Sequence, residues 1–218
     1  MQSPHHPLIA AGVDVGGKRK GFHAVALRGS VYLDQMKSPD AAQVAAWCRN
    51  IGAQFIGVDA PCRWSGTGRA RIAERALMAK KIWCFSTPTH AIALAHPKKH
   101  YDWMLARAAL FDFLETHYPL FNGRAIDQAE PACFETFPHA VTCAMRGEIV
   151  SAKNKRKDRA TLLEAEGIKL SRRPSMDMID AAICALVAAK FTSNSTNYYG
   201  DAESGFIVTP DLRDCKPR

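Results

Sequence analysis

Carboxylates far apart in the chain stand where apolar segments end or begin, and this placement constrains the fold more than any other feature. Asp14 lies in Ala10-Ala11-Gly12-Val13-Asp14-Val15-Gly16-Gly17, and Asp59 closes Phe55-Ile56-Gly57-Val58-Asp59-Ala60-Pro61. Glu135 sits in Cys133-Phe134-Glu135-Thr136-Phe137-Pro138, while Asp177 and Asp180 open an apolar helix. An acid is costly to bury alone and needs a cation or a hydrogen-bonding partner. Several acids with few balancing bases around them point to a divalent metal.

The segments between these acids read as a defined order of elements. Residues 8–15 form a buried strand, residues 16–21 a turn with a basic tip, Phe22 to Leu27 the returning strand and Val31 to Met36 a third. Ser38-Pro39-Asp40 starts a helix over Ala41 to Asn50, and Phe55 to Asp59 is an apolar run suited to a central parallel strand. A Gly-rich loop from Trp64 to Gly68 leads into a basic helix from about Arg69 to Lys81, and a second helix covers residues 101–117. Ala132 to Phe137 reads as a strand, Asn154 to Glu166 as a helix stopped by Gly167, and Met176 to about Phe191 as a long helix capped by Ser175. One domain over residues 1–218 is expected, with a helical insertion at about 64–130 and a mobile polar segment at about 192–204, after which Gly205 to Pro210 adds a terminal strand.

The order β-β-β-α-β-α, with acids on the first strand, at the end of the fourth and on a late helix, resembles the ribonuclease H-like superfamily. The expected fold is therefore α/β, a mixed five-stranded sheet of three antiparallel strands and then parallel ones, flanked by helices. In that topology the first and fourth strands are parallel neighbours, which brings Asp14 and Asp59 within reach of one ion. Asp177 and Asp180 are three apart and share a helix face, set off from the stripe of Met176, Ile179, Ile183 and Leu186. Asp177 alone also suits a first-turn residue stabilised by the helix dipole.

Attack on a phosphodiester needs an activated water and a stabilised leaving oxygen, and two hard cations about 4 Å apart on shared carboxylates supply both. All-oxygen donors suit magnesium or manganese, and the lack of a His or Cys set argues against zinc. The 29 lysines and arginines against 21 acids, a net charge of +8, favour a polyanionic partner such as nucleic acid. Seven cysteines include no C-x-x-C pair, and no apolar run approaches the roughly 20 residues needed to span a bilayer. A reduced, cytoplasmic protein without a membrane partner is expected, its oligomeric state left open with a homodimer among the options.

The residues also resemble the domain-of-unknown-function family numbered 429, regarded as predicted nucleases of ribonuclease H-like fold. The likeness runs through Gly12-Val13-Asp14, Gly57-Val58-Asp59-Ala60-Pro61, Arg71 to Arg75, Glu135-Thr136-Phe137-Pro138, Lys153 to Leu163 and Asp177-Met178-Ile179-Asp180-Ala181-Ala182. It implies that Asp14, Asp59, Glu135, Asp177 and Asp180 surround a metal site, with Asp14, Asp59 and Asp180 catalytic. The late Asp-x-x-Asp helix is more similar to that of Holliday-junction resolvases than to ribonuclease H proper. Family members usually carry tryptophan after the first hairpin turn, where this chain has Gly21-Phe22.

Lys18, Arg71, Arg75, Lys153, Lys155 and Arg159 are the candidates for holding phosphates, although a basic run is more often a solvated face. A metal-dependent nuclease acting on DNA or RNA is the leading reading. Two others stay open: a small-molecule kinase of the actin-like type, since Gly12 to Gly17 resembles its first phosphate turn, and a nucleic-acid-binding module of the same fold without turnover.

Overall fold

Alternating small and apolar residues at the start of the chain pair into a hairpin, β1 (Ile9–Val15) with β2 (Phe22–Arg28), extended by β3 (Val31–Ser38), all antiparallel. The computed structural model describes residues 8–17, 19–98, 100–124, 130–171, 173–191 and 196–212. Helix α1 (Ala41–Asn50) starts where the Asp40 carboxylate accepts from the amides of Ala42 and Gln43, and the chain then returns as β4 (Phe55–Asp59), parallel to β1. Strand β5 (Ala132–Thr136) lies parallel on the far side of β4.

The sheet order is β3-β2-β1-β4-β5-β7-β6, with β6 (Thr196–Asp201) and β7 (Gly205–Pro210) closing it as a second hairpin. The first five positions follow the ribonuclease H-like order, so the fold class holds, but the sheet has seven strands rather than five. Residues 196–201, part of the stretch expected to be mobile, form β6, and residues 192–195 lie outside the description. The polar Thr196-Asn197-Tyr198-Tyr199 run hides a strand because it lies at the sheet edge, where apolar alternation is not required.

Three helices, α2 (Ile72–Ala79), α3 (His90–Ala95) and α4 (Asp102–Leu114), separate β4 from β5. Helix α5 (Pro138–Arg146) follows β5, with proline in its first turn and Gly147 at φ 64° ending it. Then come α6 (Lys155–Ala165) and α7 (Met176–Lys190). Helices α3 and α5 were not anticipated, although Phe137-Pro138 and Gly147 are ordinary start and stop signals.

Strand period two divides the sheet between two cores. Ala11, Val13, Ala24, Ile56 and Val58 pack with Val44 of α1 and Leu110 of α4. Ala10, Val25, Phe55 and Phe134 pack on the other face with Ile183 and Ala185 of α7. Gly12 and Gly57, register partners on β1 and β4, let α7 come unusually close. A Cβ at Gly12 would lie 2.0 Å from the Ala181 carbonyl oxygen, and one at Gly57 would lie 2.6 Å from that of Cys184. Among the described residues no helix is long and apolar enough to cross a membrane.

Candidate metal centre

Two residues beyond each glycine, and therefore on the same face, stand Asp14 and Asp59, themselves register partners. Ser175 caps α7 by accepting from the Met178 amide, and the helix then lowers Asp180 onto the same strand ends. Asp14, Asp59 and Asp180 each offer an oxygen within 4.8 Å of the others. These are the three acids expected to be catalytic.

A second group shares Asp14 and adds His23 and Asp177, again with ligand atoms within 4.8 Å of one another. His23 pairs with Asp14 across the β1–β2 hairpin. It is only 4% exposed and its Nδ1 has no hydrogen-bonding partner. His23 was not expected among the ligands, although a hairpin turning at residues 16–21 puts positions 14 and 23 opposite one another.

The acids are held in an unfavourable electrostatic setting. Burial, then Asp180 and Asp177, push the Asp14 carboxyl from its ordinary 3.8 to about 7, against the pull of Lys20 and Arg159. Burial and the charges of Asp14 and Asp180 hold Asp59 well above the usual carboxylate range. Asp180 is raised by burial even though Arg159 on α6 donates to its Oδ1. Lys20 Nζ reaches Asp177 at 3.0 Å. Burial lowers the pKa of His23, favouring the neutral imidazole that can serve as a ligand.

Glu135 does not join either group. Val58, not Asp59, is its register partner, so by strand alternation Glu135 points to the face opposite Asp14 and Asp59. There its Oε2 accepts from Arg71 Nη1 at 2.9 Å and from the Cys62 amide at 2.8 Å, and its Oε1 accepts from Arg71 Nη2 at 2.6 Å. Arg71, 3% exposed, also donates through Nε to Glu74 at 2.8 Å. Glu74 in turn accepts from the Thr87 hydroxyl and amide. These residues form a buried clamp that joins α2 to the strand ends, and Arg71 is not placed to meet solvent.

The other basic candidates have separate locations. Arg75 is exposed and donates to the Ala70 carbonyl at 2.5 Å. Lys153 and Lys155 are exposed, and Lys155 lies close enough to pull the Asp180 pKa down. Arg159 is turned inward onto Asp180 because α6 buries Arg159, Leu162 and Leu163 together. Lys18 lies outside the described residues.

Beside the strand ends, a cavity of about 80 Å³ is lined by Asp59, Pro61, Glu135, Phe137, Phe85 and Trp103 among others. Asp59 thus belongs both to the acidic group and to this cleft.

No curated protein matches the chain. Among solved structures it is similar to the RuvC structure of Thermus thermophilus, at 16% identity and a TM-score of 0.47, over 86% of this chain and 98% of that one. A family model described as protein of unknown function (DUF429) matches residues 12–204, a span that holds all the clustered acids and His23, and the chain belongs to that family.

Proposed function

We propose that this protein is a metal-dependent nuclease that hydrolyses phosphodiester bonds of DNA or RNA. The observation that carries the reading is the sharing of Asp14 between two potential ligand groups, Asp14–Asp59–Asp180 and Asp14–His23–Asp177. A carboxylate common to two sites is what a pair of cations about 4 Å apart requires. The residues fit such a pair: three acids are raised by burial, and His23 has a buried nitrogen without a partner. Divalent cations bound there would supply an activated water and neutralise charge on the leaving oxygen.

The chain's own groups have distinct tasks in this reading. Asp14 would be common to the two cations, and Asp59 and Asp180 would complete an all-oxygen site suited to magnesium or manganese. His23 and Asp177, with Asp14, would give a mixed nitrogen and oxygen site, which favours manganese over magnesium. Arg159 and Lys20, bonded to Asp180 and Asp177, partly balance the acids until cations arrive. Lys153 and Lys155, exposed on the α6 side, hold the phosphate backbone, and the net charge of +8 draws it in.

The test is cleavage of branched, double-stranded and single-stranded DNA and RNA with magnesium or manganese, comparing wild type with Asp14→Asn. Metal-dependent cleavage lost in the variant is the expected result. Cleavage unchanged by the substitution would sink the site, and salt-sensitive binding without cleavage would leave a binding module instead.

A further inference from the structure

The segment between β4 and β5 concentrates charge and aromatic rings next to the acids. From 61 to 100 it carries eight lysines and arginines against a single acid, Glu74. Glu74 is buried on Arg71 and so offsets none of the exposed charge. Arg63 is paired with Glu115 at 2.6 Å, Lys99 lies outside the described residues, and Arg69, Arg75, Lys80, Lys81 and Lys98 are exposed.

Amid these bases, aromatic side chains stay open to solvent. Trp83 is 73% exposed and Phe85 is 43% exposed. Phe85 is braced by Trp103 and Tyr101, both edge-on to it, at ring distances of 5.8 and 6.1 Å. With the His100 ring 5.9 Å away and tilted by 37°, these contacts hold the orientation of the Phe85 ring while leaving part of it open to solvent. Phe85 and Trp103 also line the cleft to which Asp59 contributes.

We propose that Phe85, supported by Trp103 and flanked by Trp83, is a stacking platform for an unpaired base of a single-stranded nucleic acid whose backbone passes Asp59. Resting on the nuclease reading above, this makes the substrate an unpaired strand rather than a continuous duplex. Three features favour that occupant. Exposed rings among lysines and arginines match a strand that presents bases and phosphates in alternation, whereas an apolar peptide would offer no negative charge to the five exposed lysines and arginines. The bases of a continuous duplex are stacked on one another and cannot lie on a protein ring. The cleft, about 80 Å³, is well below the roughly 150 Å³ of a cavity that encloses benzene, so a base rests against the ring and is not swallowed.

The experiment measures binding of the full chain in EDTA to a fluorescein-labelled oligothymidine and to a duplex of equal length, at fixed salt. Wild type is expected to favour the single strand, Phe85→Ala to lose roughly tenfold in single-strand affinity, and Phe85→Trp to retain it. Equal affinity for both nucleic acids, no binding, or a Phe85→Ala variant that binds like wild type would overturn the platform. Because metal is absent, these outcomes are independent of whether the acids catalyse. Wild type that stacks oligothymidine but cleaves none of the branched, double-stranded or single-stranded DNA and RNA with magnesium or manganese removes the nuclease reading alone. Wild type that cleaves duplex as fast as single strand, with Phe85→Ala unchanged, removes the platform alone.

Discussion

Gly12 on β1 and Gly57 on β4 face each other in register and both turn a bare Cα toward α7. Their spacing from Asp14 and Asp59 is two residues on each strand, so the contact that seats α7 also aims the acids at Asp180. Packing and chemistry are coupled at these two positions. A methyl at Gly12 would overlap the Ala181 carbonyl oxygen and the Ala185 amide nitrogen, at 2.0 and 2.1 Å. Backbone cannot rotate away, so α7 itself must shift. Gly12→Ala is expected to cost at least about 3 kcal/mol, beyond the usual range for one added methyl group. In a chain of this size that lowers Tm by roughly 10 °C. Gly17→Ala, with nothing near its Cβ position, should leave the melting curve unchanged.

Glu135 makes a contrasting prediction. Its carboxylate is committed to Arg71 and the Cys62 amide on the sheet face away from Asp14. Glu135→Gln should therefore act on stability and not on metal binding. Breaking a buried pair from one side costs about 3–5 kcal/mol, read by urea denaturation. Titrating the folded variant with manganese, well below its melting temperature, should give the wild-type affinity. A loss of affinity with stability intact would put Glu135 back among the ligands.

These two cases show what the sequence made legible. Asp14 and Asp59 stood out because each follows a glycine and an apolar residue at a strand end, and parallel neighbours align such ends. Glu135 sits in a similar apolar setting, but face assignment depends on register, and the register of β5 against β4 is a tertiary fact. His23 carries no motif or ligand spacing of its own, although the hairpin alone implied its pairing with Asp14. Arg159 was recognised as one of a basic run, yet only the packing of α6 on α7 turns it from solvent to Asp180. Strand β6 escaped because an edge strand of polar residues has no apolar alternation to betray it.

His23 also gives a way to separate the two ligand groups. If it completes a site with Asp14 and Asp177, His23→Ala should weaken manganese binding more than magnesium binding, because the lost donor is a nitrogen. A tenfold loss for manganese with little change for magnesium is expected by isothermal titration. Equal losses for both ions would assign His23 a structural role beneath the acids.

The pH dependence of the metal-free protein follows from the direction of the acid shifts. Asp14 has a folded-state pKa of about 7 against an ordinary 3.8, so the folded state retains a proton that the unfolded chain releases. Its favourable contribution is complete below 3.8 and is lost as the pH climbs through about 7, with Asp59 and Asp180 shifted in the same direction. Asp14→Asn removes this term. The variant's stability relative to wild type should be level below pH 4, rise between pH 4 and 7, and plateau above 7 at up to about 4 kcal/mol, by about 1.4 kcal/mol per unit. Burial shifts His23 the other way, but His23 is present in both proteins and largely cancels from the difference. Saturating manganese at pH 8 should close the gap by stabilising wild type, because bound cation replaces the missing proton and stabilises the folded state by mass action. Melting both proteins from pH 4 to 9 with EDTA or manganese measures all of this. An Asn variant no more stable than wild type at pH 8 in EDTA would mean that the acids are already balanced by Lys20 and Arg159, and that the site has no need of a metal.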